Sequence, residues 1–352
     1  MESIRQFSIG GKTVGQGCPC FLIAEIGLSH EGSLGIARAG IDAAADAGVD
    51  AVKFQTHIAE AESTRDEAFR VRVFPQDATR QDYWRRTQFT EDEWLDLRRH
   101  AQDRDLVFLS SPFSLEAVHL LQRVGVQGWK IASGETNNLE MLKGMIDSDL
   151  PFLVSTGMSY LNEIDETVRL LQDRRVPFIL YQCTNRYPCP PEHLGLNLLQ
   201  EFQARYGCLV GLSDHSGKIG AGLAASTLGA CSLEVHVTFH RKFFGPDVSS
   251  SLPFEELALL ADNLRYLEAA RAHPVDKDEE SRSLESVRSL FTKSVVAAID
   301  LPAGVVLAPV HLAIKKPGTG IPAKELPSLF GKKTVRALKA DEILTWNDIG
   351  DE

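Results

Sequence analysis

The chain has 352 residues, of which 43% are hydrophobic and 24% are charged. This composition is ordinary for a globular protein and excludes intrinsic disorder and collagen-like repeats, and no apolar run reaches the roughly 18 residues that a membrane-spanning helix needs. The net charge of −11 argues against a broad nucleic-acid surface, although a local basic pocket could still bind an anion.

A short hairpin is predicted at the start of the chain, over residues 5–14, with Gly10 and Gly11 as its turn. After it, apolar segments rich in β-forming residues alternate with amphipathic segments of helix length. The predicted strands are residues 21–25, 51–55, 107–110, 128–131, 152–155, 178–182, 209–213 and 232–236. The predicted helices include residues 35–47, 91–104, 115–124, 161–174, 196–206, 220–228 and 254–272.

Strictly alternating strands and helices are typical of a parallel sheet, and eight such units fit a closed barrel. The sequence therefore predicts an α/β fold, a (β/α)8 TIM barrel, which together with the hairpin occupies residues 1–272. A doubly wound open sheet is the alternative. We favour the barrel because no GxGxxG turn follows the first predicted strand.

The remainder of the chain has a different pattern. Residues 273–284 are polar and charged, and we interpret them as a linker. Residues 285–352 are predicted to form a small β-rich domain, whose short strands are punctuated by proline and glycine and lie at residues 294–299, 305–307, 313–315 and 334–337. Because a domain this small is only marginally stable alone, we expect it to dock on another surface.

Polar residues lie at the carboxyl end of every predicted barrel strand, where the active sites of such barrels form. Lys53 and Lys130, surrounded by hydroxyl and amide side chains, predict a site for a small polyanion. A purely structural barrel would have little reason to repeat this arrangement eight times. The residues concerned are Glu25, Lys53, Gln55, Ser110, Ser111, Lys130, Ser133, Glu135, Ser155, Asn185, Ser213, His215, Glu234 and His236.

A divalent metal site is predicted where His215 and His236 end adjacent strands, with Glu25, Glu234 and Asp247 as nearby acidic candidates. Two imidazoles with open positions for water and substrate suit a Lewis acid such as Mn²⁺, with Zn²⁺ or Fe²⁺ as alternatives. An isolated pair of histidines can also be structural, so this prediction depends on the two rings meeting in space.

Six cysteines occur without a CxxC pair, and the first residues lack the apolar segment of a secretory signal. We therefore expect reduced thiols and a cytoplasmic protein. Cys183 has no obvious base paired with it, so we interpret it as structural. His57 also has no argument for a functional role, and we interpret it in the same way.

Eight ordered motifs extend this reading: AEIGLSHEG (24–32), KFQTH (53–57), SSPFS (110–114), KIASGE (130–135), STGM (155–158), CTNRYPCPP (183–191), GLSDHS (211–216) and EVHVTF (234–239) with GPD (245–247). Together they resemble the sialic acid synthase family, bacterial enzymes that join phosphoenolpyruvate to an amino-hexose. The segment KKPGTGIP (315–322) is similar to the antifreeze-like (SAF) domain of these synthases. The resemblance covers nearly the whole chain.

The resemblance implies a role for each of the residues that match. The phosphate and carboxylate of phosphoenolpyruvate would be bound by Lys53, Ser111, Lys130, Ser133, Ser155, Asn185 and Ser213. Glu25 and Glu135 would carry out proton transfers, one of them as the base that activates water, while Gln55, Tyr187, Asp247 and Lys316 would contact the acceptor sugar. His215 and His236 would hold Mn²⁺, with Mg²⁺ or Co²⁺ as alternatives. In the implied homodimer, the C-terminal domain caps the partner's active site.

The implied reaction gives a nine-carbon 2-keto-3-deoxy sugar acid and phosphate. Two departures bear on the acceptor: Lys316 stands where the family usually has arginine, and Gln76 is the candidate replacement for an expected asparagine. Lysine cannot make the forked contact of arginine, which argues against N-acetylmannosamine itself. The acceptors that the resemblance implies are N-acetylmannosamine or a related hexose, such as a diacetamido sugar. The alternatives are another phosphoenolpyruvate–aldose synthase of polysaccharide biosynthesis, including spore coat, a pyruvate-type aldolase, or a non-catalytic glycan-binding protein.

Overall fold

Eight parallel strands close into a barrel in the first of two compact units, which divide the chain between residues 271 and 272. This is a computed structural model, and it describes residues 5–350. The last barrel strand pairs with both the first and the seventh, which closes the sheet and confirms the predicted (β/α)8 fold. After the hairpin strands β1 (Gln6–Ile9) and β2 (Lys12–Gly15), the barrel strands are β3 (Phe21–Gly27), β4 (Ala51–Thr56), β5 (Val107–Pro112), β6 (Trp129–Ile131), β7 (Phe152–Ser155), β8 (Phe178–Cys183), β9 (Leu209–Asp214) and β10 (Ser232–Thr238).

The helices follow the strands and cover the outside of the barrel. Helix α5 (Leu115–Val124) shows how the sequence sets their ends, because Ser114 caps its first turn by accepting from the Ala117 amide, and Gly125 ends it in the left-handed conformation. The remaining helices of this unit are α1 (Leu34–Asp46), α2 (Ala59–Glu62), α3 (Arg80–Thr87), α4 (Glu91–Asp103), α6 (Leu139–Ile146), α7 (Leu161–Asp173), α8 (Asn197–Tyr206), α9 (Ile219–Thr227) and α10 (Phe254–Ala272). A two-residue strand, β11 (Leu252–Pro253), extends β10.

The N-terminal hairpin closes one end of the barrel. Gly10 and Gly11 both have positive φ (56° and 88°), as a tight hairpin turn of this kind requires. Ile9 and Val14 are completely buried and pack with residues at the amino ends of the strands, among them Val107. The interior of the barrel is therefore apolar and covered at this end, and polar groups lie at the opposite end.

The connection after β4 is much longer than the others. It contains α2, a loop over residues 63–79, and α3 before α4 begins. Helix α3 starts with a capping box between Thr79 and Asp82. The sequence analysis predicted only α4 here, although Thr79 and Asp82 have the spacing of that capping signal. This connection runs beside the open end of the barrel.

The C-terminal unit is described by itself. Residues 277–291, of which the first part was assigned to a linker, form helices α11 (Lys277–Ser283) and α12 (Glu285–Phe291). Helix α11 is set by its ends: Asp276 caps it, acidic residues fill its first turn and Arg282 lies in its last. Strands β12 (Ser294–Ala297) and β13 (Leu312–Lys315) pair, as do β14 (Lys333–Thr334) and β15 (Ile349–Gly350). The predicted strand at 305–307 reduces to a bridge between Val306 and Lys333.

Two further properties concern the chain as a whole. All six cysteines are free thiols, so the structure contains no disulfide among them. Within residues 5–350, no helix combines the length and the apolar character that crossing a bilayer would require.

Candidate active site

A cavity of about 530 Å³ opens at the carboxyl ends of the barrel strands. Its position is the one that the barrel architecture predicts for an active site. Lys53 and Lys130 meet His215 and His236 in this cavity, as the sequence analysis required. The predicted site residues that line it are Glu25, Lys53, Gln55, Ser111, Lys130, Ser133, Glu135, Ser155, Asn185, Tyr187, Ser213, His215, His236 and Asp247.

The floor of the cavity is a network of alternating charges contributed by β3, β4, β6 and β10. Lys53 Nζ lies 3.2 Å from Glu25 Oε1 and 3.4 Å from Glu234 Oε1, and Lys130 Nζ lies 3.4 Å from the same Glu234 oxygen. All four side chains are buried. Buried charges are stable only when they are paired in this way, so the floor holds two cations in place for an anionic ligand.

The two floor carboxylates titrate differently. Burial raises the pKa of Glu25 to about 7, against the opposing effect of Lys53. Burial also acts to raise the pKa of Glu234, but Lys130 and Lys53 outweigh it and lower the pKa to about 2. Glu234 is therefore a permanent counterion, whereas Glu25 can take up and release a proton near neutral pH.

Hydroxyl groups surround the two ammonium groups. Lys53 Nζ donates to Ser111 Oγ at 3.3 Å, and Lys130 Nζ donates to Ser155 Oγ at 2.6 Å. Ser133 Oγ accepts from the backbone amide of Gly157 at 3.0 Å. A Cβ atom at Gly157 would lie 2.5 Å from Asn185 Oδ1, so this close approach requires glycine. The set of ammonium, hydroxyl and amide donors suits phosphate and carboxylate oxygens.

The orientation of His215 is fixed by a backbone carbonyl. Its Nδ1 lies 2.8 Å from the Thr184 carbonyl oxygen, which can only accept, so Nδ1 carries the hydrogen and the neutral ring has its lone pair on Nε2. The hydroxyl of Tyr187 lies 2.9 Å from that Nε2. Cys183 Sγ is 3.9 Å from Nδ1, but a nitrogen that donates to a carbonyl cannot serve as a base for the thiol, so Cys183 has no such partner here.

His236 completes a pair of imidazoles, with its ring centroid 5.1 Å from that of His215. Burial lowers the pKa of His236 to about 3, which keeps the ring neutral, and Asp247 Oδ2 lies 3.9 Å from its Nδ1. Neutral imidazole with its other nitrogen held by a carbonyl is the form that ligates metal ions. Among residues 5–350, no group of three or more His, Cys, Asp or Glu side chains is arranged to hold a metal ion. The site therefore suits a cation that is bound by two imidazoles and whose coordination is completed by other ligands.

Arg70 also lines the cavity, although it was not among the predicted site residues. Its guanidinium is 4.1 Å from the centroid of the Tyr187 ring and forms an ion pair with Asp247. Arg70 comes from the irregular loop after β4 and its side chain is exposed, so no periodicity in the sequence marks it. Gln76, the candidate from the same loop, is exposed and does not line the cavity.

The remaining candidate residues lie beside Glu25, at the rim of the cavity or in the C-terminal unit. Gln55 Nε2 donates to Glu25 Oε1 at 2.7 Å. Glu135 is partly buried at the rim, and burial raises its pKa. Lys316 lies in the C-terminal unit, with its Nζ 5.0 Å from the centroid of the Phe291 ring. His57, which the sequence analysis left as structural, also lines the cavity.

Comparison with known proteins gives consistent matches. The model of the NeuB family matches residues 40–276, and that of the SAF domain matches residues 292–350. An N,N'-diacetyllegionaminic acid synthase of Campylobacter jejuni is 32% identical over 92% of this chain and 98% of its own length. The human N-acetylneuraminate-9-phosphate synthase is 31% identical, with 95% and 94% covered. The crystal structure of an N-acetylneuraminic acid synthetase from Leptospira borgpetersenii in complex with citrate has a TM-score of 0.70 at 30% identity, covering 81% of this chain and 98% of the other.

Proposed function

The chain belongs to the NeuB family and is a synthase, and from this premise we propose that it condenses phosphoenolpyruvate with the open-chain aldehyde of an N-acetylated hexosamine. The acceptor would be N-acetylmannosamine or a related diacetamido hexose, and the products a nine-carbon 2-keto-3-deoxy sugar acid and phosphate. The observation that carries this proposal is the meeting of Lys53 and Lys130 with His215 and His236 in one cavity.

Phosphoenolpyruvate would lie on the floor of the cavity. Lys53 and Lys130 supply the countercharge for its phosphate and carboxylate. Further donors come from the side chains of Ser111, Ser133, Ser155 and Asn185. Ser213 donates to Glu234 Oε1 at 3.1 Å, which keeps that permanent anion turned toward the lysines. The site thereby holds the enol ester with its C3 carbon free to react.

The proposed reaction forms one carbon–carbon bond and breaks one carbon–oxygen bond. C3 of phosphoenolpyruvate attacks the aldehyde carbon, and the aldehyde oxygen takes up a proton. Water then adds to C2 and loses one proton to a base, which gives a tetrahedral intermediate with a C2 hydroxyl. The hydroxyl gives up its proton as the C2–O bond to phosphate breaks, leaving the 2-keto acid and phosphate. Holding the two substrates in line can supply about 7–11 kcal/mol of the reduction in barrier.

Glu25 is the better placed of the two candidate bases. Its Oε2 is buried and has no hydrogen-bond partner within residues 5–350, while Oε1 accepts from Gln55. Its pKa of about 7 also suits proton transfer near neutral pH. Glu135, at the rim, is better placed for a hydroxyl of the acceptor. We therefore assign the activation of water to Glu25.

We propose that His215 and His236 hold Mn²⁺, with Mg²⁺ or Co²⁺ as alternatives. When bound, such an ion polarises a carbonyl oxygen as a Lewis acid. Tyr187, Asp247 and Gln55 surround the space beside the two imidazoles and would bind the hydroxyl groups of the sugar.

The C-terminal SAF domain carries Lys316, the remaining candidate for the acceptor. We propose a homodimer in which Lys316 of the partner subunit reaches the sugar. Sedimentation of the full chain would test the dimer, and a monomeric enzyme with full activity would contradict it. A cytoplasmic location stays a prediction from the sequence.

A panel of amino-hexoses with phosphoenolpyruvate and Mn²⁺ tests the proposed function directly. We expect mass spectrometry to detect a nine-carbon acid for at least one acceptor, together with one equivalent of phosphate. With ¹⁸O in the bridging position of phosphoenolpyruvate, the label should leave with phosphate, because the C–O bond breaks. Product formed from pyruvate in place of phosphoenolpyruvate, together with borohydride trapping of a lysine adduct, would indicate a pyruvate-type aldolase.

Metal binding can be measured without turnover. Replacing His215 by alanine is expected to weaken Mn²⁺ binding by about 100-fold, because one of two protein ligands is lost. Electron paramagnetic resonance of free Mn²⁺ gives the affinity, and circular dichroism reports the fold. His100→Ala is the matched control, since His100 pairs with Asp42 on the surface. Unchanged Mn²⁺ affinity in His215→Ala would contradict the assignment.

The pH dependence of the reaction follows from Glu25. Its pKa is raised from 4.5 to about 7, so it becomes protonated, and useless as a base, at a higher pH than an ordinary carboxyl. We expect kcat/KM for the acceptor, measured with saturating phosphoenolpyruvate and Mn²⁺, to fall about tenfold per pH unit below about pH 7. A plateau that extends down to about pH 5 would contradict a base with this raised pKa.

A further inference from the structure

A chain of hydrogen bonds leads from Glu25 away from the floor of the cavity. Gln55 Nε2 donates to Glu25 Oε1 at 2.7 Å, and the Gln55 Oε1 atom lies 3.3 Å from His57 Nε2. On its other side, His57 Nδ1 lies 2.8 and 2.9 Å from the two carboxylate oxygens of Glu62. Because the carboxylate of Glu62 and the carboxamide oxygen of Gln55 can only accept, Nδ1 donates to Glu62 and Nε2 donates to Gln55 in this chain of hydrogen bonds.

The ring of His57 is held rigidly in its plane. It stacks between Trp84, at a centroid distance of 3.9 Å, and Phe113, at 4.4 Å, and is nearly parallel to both rings. The side chains of His57 and Glu62 are 4% and 9% exposed, so neither is free to move into solvent. Stacking fixes the plane and Glu62 fixes the rotation within it, which leaves one position for Nε2.

The other end of the chain is equally constrained. A Cβ atom at Gly27 would lie 3.1 Å from Glu25 Oε1 and 3.2 Å from Gln55 Nε2. Gly27 has a φ of 54°, in the left-handed region that favours glycine, and β3 changes register between Glu25 and Gly27. The backbone is thus shaped around the contact between Gln55 and Glu25.

We propose that His57, anchored by Glu62, is a positioning residue that fixes the carboxamide of Gln55 against Glu25. The fixed carboxamide keeps Glu25 Oε1 occupied and leaves Oε2 as the oxygen available for proton transfer. The inference rests on the proposed function in one respect only, the role of Glu25 as the base. The placement of Gln55 by His57 can be tested separately.

Three substitutions of His57 distinguish the effect of ring stacking on kcat from the effect of each ring nitrogen. His57→Phe keeps the stacking but removes both hydrogen bonds, and we expect kcat to fall about 30-fold. In His57→Gln the terminal carboxamide can occupy the place of Nε2 and contact Gln55, so most of kcat should return. In His57→Asn the shorter carboxamide takes the place of Nδ1, so kcat should stay as low as in the phenylalanine variant. KM for phosphoenolpyruvate should not change, because the two lysines are untouched.

Glu62→Gln and Glu60→Gln form a matched pair on the same helix. Glu62 contacts His57, whereas Glu60 pairs with Arg85 on the surface. We expect kcat to fall about tenfold in Glu62→Gln and to be unchanged in Glu60→Gln. This pair keeps the test decisive even when His57→Phe fails to fold. Equal kcat values for the two glutamine variants would overturn the proposal.

Crystal structures of His57→Phe and His57→Gln give a readout that needs no turnover. We expect the Gln55–Glu25 contact to open beyond the roughly 3.5 Å limit of a hydrogen bond in the first variant and to persist in the second. Gln55 in its original place in His57→Phe would overturn the proposal. If the native protein condenses no aldose with phosphoenolpyruvate, the proposed function fails, while these structures still decide whether His57 positions Gln55.

Discussion

Replacing Glu25 by glutamine is expected to lower kcat about 1,000-fold while the barrel stays folded and phosphoenolpyruvate still binds. Glutamine keeps the shape and an acceptor oxygen for Gln55 but cannot take a proton from water. The loss of charge should cost little stability, because burial already disfavours the charged form of Glu25 and raises its pKa to about 7. Stopped-flow and steady-state kinetics measure kcat, and calorimetry measures phosphoenolpyruvate binding.

The matched variant is Glu135→Gln, which decides between the two candidate bases. Glu135 is at the rim and contacts Asn138 rather than the charges of the floor. We expect this variant mainly to raise KM for the acceptor, with a much smaller loss in kcat. A larger loss of kcat in Glu135→Gln than in Glu25→Gln would transfer the role of base to Glu135.

Replacing Lys130 by methionine is expected to weaken phosphoenolpyruvate binding by at least about 100-fold. Lys130 is buried and donates to Ser155 while it pairs with Glu234, so its charge is held in a water-poor site where it attracts an anion strongly. Burial lowers the pKa of Lys130, which shows that the folded chain holds this charge at a cost. Methionine removes that cost but leaves Glu234 with Lys53 alone as its cation.

Titration calorimetry with phosphoenolpyruvate measures this effect in the full chain. Lys143→Met is the control for the change of residue type, because Lys143 pairs with Glu140 on the surface of α6. We expect wild-type affinity in the control and an unchanged melting temperature within a few degrees in Lys130→Met. Tight binding of phosphoenolpyruvate by Lys130→Met would remove the central element of the proposed site.

Much of the site could be predicted because strand periodicity and barrel topology act together. Lys53 and Gln55 alternate with apolar residues, so both had to face one side of β4. Residues at the ends of distant strands, such as His215 and His236, then meet because a closed parallel barrel brings all carboxyl ends to one mouth. The motifs predicted the family through the same residues, and the match to the NeuB family confirms it.

The remaining features of the site and the fold could not be predicted from the spacing of apolar residues. Arg70 comes from an irregular loop, and nothing in its neighbours along the chain indicates that it meets Tyr187 and Asp247. His57 follows the last residue of β4 and continues the alternation of Lys53 and Gln55, a signal that could have been used. Helix α11 was missed because caps and charges, rather than an apolar stripe, define it.

Apolar side chains fill the amino half of the barrel beneath the hairpin, so the two lysines lie at the bottom of a cavity that opens at the carboxyl ends of the strands. In the proposed reaction, the ligand of Lys53 and Lys130 would therefore bind before the sugar and leave after the product that lies above it. Turnover should accordingly follow a compulsory order, in which inorganic phosphate, as the deepest product, competes with the enol ester for the free enzyme.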